Sequence, residues 1–169
     1  MQNIEFKAEL RDRELAEALL LRNGGVTVTS MEQSDTYYRI ADGRLKRRAC
    51  VDEPIEWIHY HRDVTTGPKR STFTIYTDRE ARLRFGAMPL PVWVIVNKQR
   101  EMWIHGPTRV LFDKVIGLGE FIEIEALITP KRPEEHCRHA VASLVKLLRP
   151  VMGEPIAGSY ADMAAREAA

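Results

Sequence analysis

The residues able to do chemistry in this chain come in pairs two positions apart, which places each pair on one face of an extended strand. Ile122-Glu-Ile-Glu125 sets two carboxylates against two isoleucines, and Ile4-Glu-Phe-Lys7 repeats the pattern with an acid and a base. Lys46 and Arg48 share a face, as do Lys98 and Arg100, and Tyr60 and Arg62; Arg70, Thr72 and Thr74 lie opposite Phe73 and Ile75. Two carboxylates at i and i+2, with a third from another strand, can hold Mg2+ or Mn2+. Arginine makes planar two-point contacts to phosphate oxygens. Cations that grip a phosphate chain and carboxylates that hold a metal on it are the parts of phosphoryl transfer, which needs neither a serine nucleophile nor a glycine-rich loop.

Such pairs require strands to carry them. Ile4, Phe6, Ala8 and Leu10 alternate with Glu5, Lys7 and Glu9, and Asp12 then caps a helix bearing Leu15, Ala16, Leu19 and Leu20 that ends at Gly24-Gly25. Strand patterns follow over Val26–Met31, Thr36–Ile40, Leu45–Cys50, Trp57–Arg62, Ser71–Thr77, Trp93–Trp103, Thr108–Asp113 and Phe121–Ile128, with Asp42-Gly43 as a tight hairpin signal. Asp78 is placed to cap a short helix over Arg79–Phe85, and Met88-Pro-Leu-Pro91 breaks the chain after it. Pro133 opens the strongest helix, with Cys137, Ala140, Val141, Leu144, Val145 and Leu148 on one face. A loop with Pro150, Gly153, Pro155 and Gly158 leads to a terminal segment, Tyr160–Glu167. The predicted class is α+β, mainly β: about eight antiparallel strands in a barrel or strongly curved sheet, flanked by helices, in a single domain over residues 1–169.

Composition narrows the function. With 44% hydrophobic and 29% charged residues among 169, the chain is neither disordered nor collagen-like. Lys plus Arg number 25 and Asp plus Glu 24, so a nucleic-acid partner gripped by bulk charge is not expected. Charges at Glu5, Lys7, Glu9 and Arg11 argue against a signal peptide, and no apolar run approaches the ~20 residues of a membrane span. Cys50 and Cys137 have no disulfide or metal spacing and read as free thiols in a reducing cytoplasm. Gly67-Pro-Lys-Arg-Ser71 lacks the spacing of a P-loop. His59 and His61 share a strand face and could bind a metal or simply sit side by side, whereas His136 and His139 read as helix surface. Trp57, Trp93 and Trp103 could stack on bases but are better used in packing.

Two arrangements would produce the charged strand faces. In one, they are the solvated outside of a one-sided sheet. In the other, the sheet curls so that they line a tunnel and the apolar faces point outward beneath helices. The solvated sheet is the commoner arrangement, while the arginine content of the basic strands and the collection of acids on the first and last strands point toward the tunnel.

The motifs also resemble a known family. Asn3-Ile-Glu-Phe-Lys7, Asp35-Thr-Tyr-Tyr-Arg39, Gly43-Arg-Leu-Lys-Arg-Arg48, Tyr60-His-Arg62, Gly67-Pro-Lys-Arg-Ser71, Lys98-Gln-Arg-Glu-Met-Trp103, Arg109-Val-Leu-Phe-Asp113, Gly117-Leu-Gly-Glu-Phe-Ile-Glu-Ile-Glu125 and Ser159-Tyr-Ala-Asp162 follow in the order of the CYTH superfamily, the triphosphate tunnel metalloenzymes. The resemblance implies a closed eight-stranded antiparallel tunnel with a charged interior. It makes Glu5, Asp113, Glu123 and Glu125 the metal acids for Mg2+ or Mn2+. It makes Lys7, Arg39, Lys46, Arg48, Arg62, Lys98 and Arg100 the triphosphate-binding cations, with Lys69 and Arg70 from a motif of the cyclase-like branch. Lys7, Tyr37 and Arg62 are the candidate catalytic residues. The implied activity is that of a class IV adenylate cyclase, with triphosphate hydrolysis or polyphosphate binding without turnover as alternatives. A homodimer is compatible with the outer apolar face. Two departures stand out: Asn3 replaces the first glutamate of the family's Glu-x-Glu-x-Lys opening, and Arg62 stands where some hydrolases have a lysine. A guanidinium stays protonated, so Arg62 cannot act as a base.

Overall fold

A computed structural model describes residues 1–86 and 89–169. The chain runs β1 (Gln2–Leu10), α1 (Arg13–Arg22), β2 (Val26–Tyr38), β3 (Arg44–Cys50), β4 (Glu56–Arg62), β5 (Lys69–Tyr76), α2 (Asp78–Phe85), β6 (Val92–His105), β7 (Thr108–Val115), β8 (Gly119–Leu127), α3 (Glu134–Leu148), β9 (Met152–Pro155) and α4 (Tyr160–Glu167). The strands follow the order β5-β4-β3-β2-β6-β7-β8-β1-β9, and β1 also pairs with β5. That last pairing, Gln2 to Glu5 against Lys69 to Thr72, closes an eight-stranded antiparallel barrel. The other half of β1, from Ala8 to Leu10, takes β9 as a ninth strand.

Closure decides which face is inside. Ile4, Phe6, Val110, Phe112, Ile122 and Ile124 face outward and are buried with Leu20 of α1 and Val141, Leu144 and Leu148 of α3. Each such apolar side chain contributes about 1.5–3 kcal/mol on full burial. The intervening Glu5, Lys7, Glu123 and Glu125 face the interior. The tunnel therefore forms, and the solvated one-sided sheet does not.

Several local expectations are corrected. Two expected strands are one: β2 runs unbroken from Val26 to Tyr38, because the polar stretch that looks like an interruption puts Gln33 and Asp35 inside a polar barrel. Residues 39–43 make a five-residue connection, longer than a tight hairpin, with Gly43 at φ +73°. Thr77, rather than Asp78, caps α2 through a capping box with Glu80, and Asp78 accepts a hydrogen bond from Trp57 Nε1 at 2.5 Å. Of the expected break at Met88–Pro91, Met88 lies outside the described residues. The segment expected as a loop after α3 contains β9. Asp12 caps α1 as expected, accepting from the Leu15 amide at 3.0 Å. All three tryptophans pack: Trp57 stacks on Tyr38, Trp93 meets Tyr37 edge-on, and Trp103 lies against Phe112. Both cysteines are free, and among the described residues no helix is long and apolar enough to cross a membrane.

Candidate active site in the tunnel

The barrel encloses a cavity of about 340 Å³, lined by side chains from all eight strands and by Ser159 and Tyr160 at the start of α4. Seven lysines and arginines line it: Lys7, Lys46, Arg48, Arg62, Lys98, Arg100 and Arg109. Buried ion pairs add little net stability, because desolvation offsets their attraction. A tunnel filled with them is poorly explained as a stabilising device.

One wall, from β3, β2 and β6, is basic. Its pivot is Asp35, fully buried. Arg48 donates to both Asp35 oxygens at 2.8 Å, Lys98 lies at 2.9 Å and Lys46 at 3.4 Å. Burial alone would raise the pKa of Asp35, but Lys46, Lys98 and Arg48 outweigh it and hold the carboxylate well below its ordinary range. The cations bear the cost of crowding. Burial, then the Arg48 charge, brings Lys46 down to about 7, and burial brings Lys98 down to about 8 despite Asp35.

The facing wall, from β1 and β8, is acidic. Glu5 pairs with Glu125 and Lys7 with Glu123 across the two strands. Like charges placed directly opposite repel, so each acid is held by a cation. Arg62 reaches Glu5 at 2.5 Å, Arg109 reaches Glu125 at 2.6 Å, and Arg100 and Lys7 reach Glu123 at 3.2 and 3.8 Å. Burial opposes ionisation of Glu123, yet Lys7, Arg100 and Arg62 hold its pKa low. Glu125 goes the other way: burial, with the neighbouring Glu123 charge, raises it.

The expected residues divide clearly. Glu5, Glu123 and Glu125 offer oxygens within 4.8 Å of one another. Asp113 does not join them. Its carboxylate takes both Arg100 nitrogens at 2.6 Å and the Tyr160 hydroxyl at 2.6 Å, so it anchors an arginine. Lys7, Lys46, Arg48, Arg62, Lys98, Arg100 and Tyr37 line the cavity. Arg39 does not: it is exposed just beyond the end of β2. Lys69 is buried, but its ammonium is consumed by three backbone carbonyls, Thr65, Ile156 and Ala157, at 2.8–3.0 Å. It ties down the segment that delivers Tyr160. Arg70 points outward to Glu134 at 3.5 Å, because closure turns Ser71, Phe73 and Ile75 inward instead. Tyr37 is deeply buried, and burial with Tyr60 and Asp35 raises its pKa well above 10.0, so it is a phenol at neutral pH and not a base.

Asp35, Tyr160, Asn3 and Arg109 were not among the expected site residues. For Asp35 and Arg109 the available signal was parity with Tyr37 and with Asp113; for Tyr160 it was the Ser159-Tyr-Ala-Asp162 motif alone, since a helix terminus carries no strand period.

The acidic wall fits a divalent ion. Asn3 Oδ1 is buried without a hydrogen-bond partner beside the three glutamates, while its amide donates to Glu125 at 3.2 Å. An unpartnered buried carbonyl costs about 1–3 kcal/mol unless something answers it. Three carboxylates and a carbonyl make a hard oxygen set, suited to Mg2+ or Mn2+.

The architecture occurs in solved structures. A proposed adenylate cyclase from Vibrio parahaemolyticus superposes with a TM-score of 0.70 at 16% identity, covering 95% of this chain and 96% of its own. HpAC1 from Hippeastrum, a proposed adenylyl cyclase described as having a dominant triphosphatase activity, gives 0.66 at 12% identity, covering 98% and 96%. The Pct1 RNA triphosphatase of Schizosaccharomyces pombe gives 0.59 at 9% identity, covering 94% and 85%. At such identities the likeness establishes the fold. No curated protein sequence matches this one. The CYTH domain family model matches residues 1–155, and with the tunnel and its charged walls in place, the chain belongs to the CYTH domain family.

Proposed function

We propose that the protein is a divalent-metal-dependent enzyme that draws a triphosphate into the tunnel and hydrolyses it. The observation that carries this reading is the juxtaposition of a basic and an acidic wall across one cavity. Lys46, Arg48, Lys98 and Arg100 bind the phosphate oxygens, with Asp35 and Asp113 holding the two arginines in position. Lys7 and Arg62 serve the same anion from the acidic side. Glu5, Glu123, Glu125 and Asn3 hold Mg2+ or Mn2+, which supplies neutralisation of phosphate charge when bound. Water is the nucleophile: its oxygen bonds to phosphorus as the bridging oxygen leaves. Tyr37, as a phenol, can orient that water. The proton of the attacking water passes to the departing phosphate oxygen, and Lys46 stays a cation of the basic wall.

A second reading is cyclisation, in which a ribose 3′-hydroxyl of ATP attacks and pyrophosphate leaves. It is favoured by the apolar part of the lining, Met31, Phe73, Ile75 and Met102, where a nucleobase could lie. Phosphorus NMR of the protein with Mg2+ or Mn2+ and either ATP or inorganic triphosphate separates the two. Orthophosphate release from triphosphate supports hydrolysis, and cyclic AMP with pyrophosphate replaces it with cyclisation. Binding without turnover of either would overturn both and leave a polyphosphate binder.

A further inference from the structure

A second cluster of ligating side chains stands on the opposite side of the barrel wall. β4 turns Ile58, Tyr60 and Arg62 into the tunnel, so the alternate residues His59 and His61 face out. There the β2–β3 connection brings Asp42 to them. His61 Nε2 lies 3.0 Å from Asp42 Oδ1, and His59 Nε2 lies 2.9 Å from the Asp42 carbonyl. One donor atom from each of the three residues lies within 4.8 Å of the others.

The convergence depends on a missing side chain. A Cβ on Gly43 would stand 2.8 Å from His59 Nε2 and 2.9 Å from His61 Nε2, so both nitrogens lean into the space over its bare Cα. Gly43 also sits at φ +73°, which disfavours any replacement. The rings are braced: His59 packs edge-on against Phe85 at 5.4 Å and against His61 at 5.1 Å. Asp42 is exposed at the tip of its connection, and the 3.0 Å between its Oδ1 and His61 Nε2 is near the ~3.3 Å that separates two donor atoms bound to one tetrahedral metal.

The geometry points to a transition-metal site made by Asp42, His59 and His61 on the outer face of the barrel, independent of the tunnel. Two imidazoles and one carboxylate suit Zn2+, Ni2+ or Co2+, with water completing the shell, whereas Mg2+ prefers oxygen alone. The two sites therefore select different ions by ligand type. The metal takes the place of the protons that His59 and His61 Nε2 donate to the Asp42 carbonyl and carboxylate, so each bound histidine carries its proton on Nδ1 instead. Occupancy pins the β2–β3 connection to β4. The guanidinium charge of Arg84 reaches Asp42 and opposes a cation.

The test uses the whole chain, stripped with chelator and held in excess Mg2+, titrated with Co2+ as a spectroscopic probe and with Zn2+ in competition. One equivalent of Co2+ should develop visible absorption from nitrogen coordination, and Zn2+ should displace it. Losing an outer-shell partner alone weakens metal binding about 10–100-fold, so His61→Ala and Asp42→Ala, which remove ligands, should weaken it at least that much. Glu123→Gln, in the tunnel, should leave it intact. Unchanged Co2+ affinity in folded His61→Ala, or loss of the signal in Glu123→Gln with His61→Ala unaffected, would overturn the proposal. The exposure of His61 and Asp42 makes failure to fold a minor hazard; His61→Gln provides a second variant of similar size with the same expected loss.

Discussion

The two walls of the tunnel use the same kinds of side chain to opposite effect. On the basic wall, one acid, Asp35, serves Lys46, Arg48 and Lys98, so cationic charge remains after every internal pair is made. On the acidic wall, three glutamates crowd together beside an unpartnered Asn3 oxygen. The first is a surface waiting for an anion and the second for a cation. Burial drives Lys46 and Lys98 down on the first wall and Glu125 up on the second, whereas Lys7, Arg100 and Arg62 hold Glu123 down. A metal-triphosphate complex would relieve both at once. This separates the tunnel from the region outside, where the apolar faces of β1, β7 and β8 lie against α1 and α3 and nothing is left to satisfy.

The contrast can be broken from either side. Asp35→Ala should have the largest effect, because it leaves three buried cations without their acid. A loss of about 3–5 kcal/mol in urea unfolding is expected, as for a broken buried pair. Added inorganic triphosphate should restore part of it by taking the place of the carboxylate. If triphosphate stabilises the variant no more than the wild type, the basic wall is not the anion site. Glu123→Gln comes next: metal-dependent turnover should fall about 10²–10³-fold, the scale of a lost electrostatic contact at a reacting centre. An unchanged rate with an unchanged Mg2+ requirement would remove the acidic wall from the mechanism. Arg100→Ala should cost at least about tenfold in kcat/KM, in line with about 1.5 kcal/mol for a charged hydrogen bond. Steady-state kinetics that show neither constant moved would take Arg100 off the substrate.

The smallest effect concerns pH. Lys46 titrates at about 7, below its ordinary 10.5, so its charge is present below that value and lost above it. Triphosphate affinity should weaken as pH rises through about 7, and Lys46→Arg, charged throughout, should flatten that part of the profile in calorimetric titrations. A profile identical to wild type would assign the titration to another group. For folding the sign is reversed. Between about 7 and 10.5 the unfolded chain binds more protons at this lysine, so this group contributes increasing stability as pH rises across that window.

How far the site was legible varies by residue. The pairs Glu123 and Glu125, Lys46 and Arg48, and Lys98 and Arg100 were readable because a strand shows its period of two directly in the sequence. Lys69 and Arg70 look equivalent in the sequence, as adjacent basic residues do until the barrel closes. One is then buried among carbonyls and the other faces α3. Asp113 shares a face with Arg109 and so looks like one more acid in the cluster. Its partners, Arg100 and Tyr160, come from β6 and α4, and no local pattern announces them. His59 and His61 were visible as a pair, but Asp42 joins them only through the fold of the β2–β3 connection.

By itself, the amino-acid sequence determined the family, the order of most elements and which residues share a face, since all of these follow from local alternation and motif order. Alternation by itself did not determine which face is enclosed; only the family resemblance implied a charged interior. That was decided by the pairing of β1 with β5, residues 64 to 70 positions apart, which rolls the sheet so that its charges face inward and its isoleucines face the helices. The partner of each buried charge was likewise a tertiary matter. Coulomb attraction acts through space, and once the tunnel is closed to water, the neighbour a side chain meets across it sets its protonation and its role.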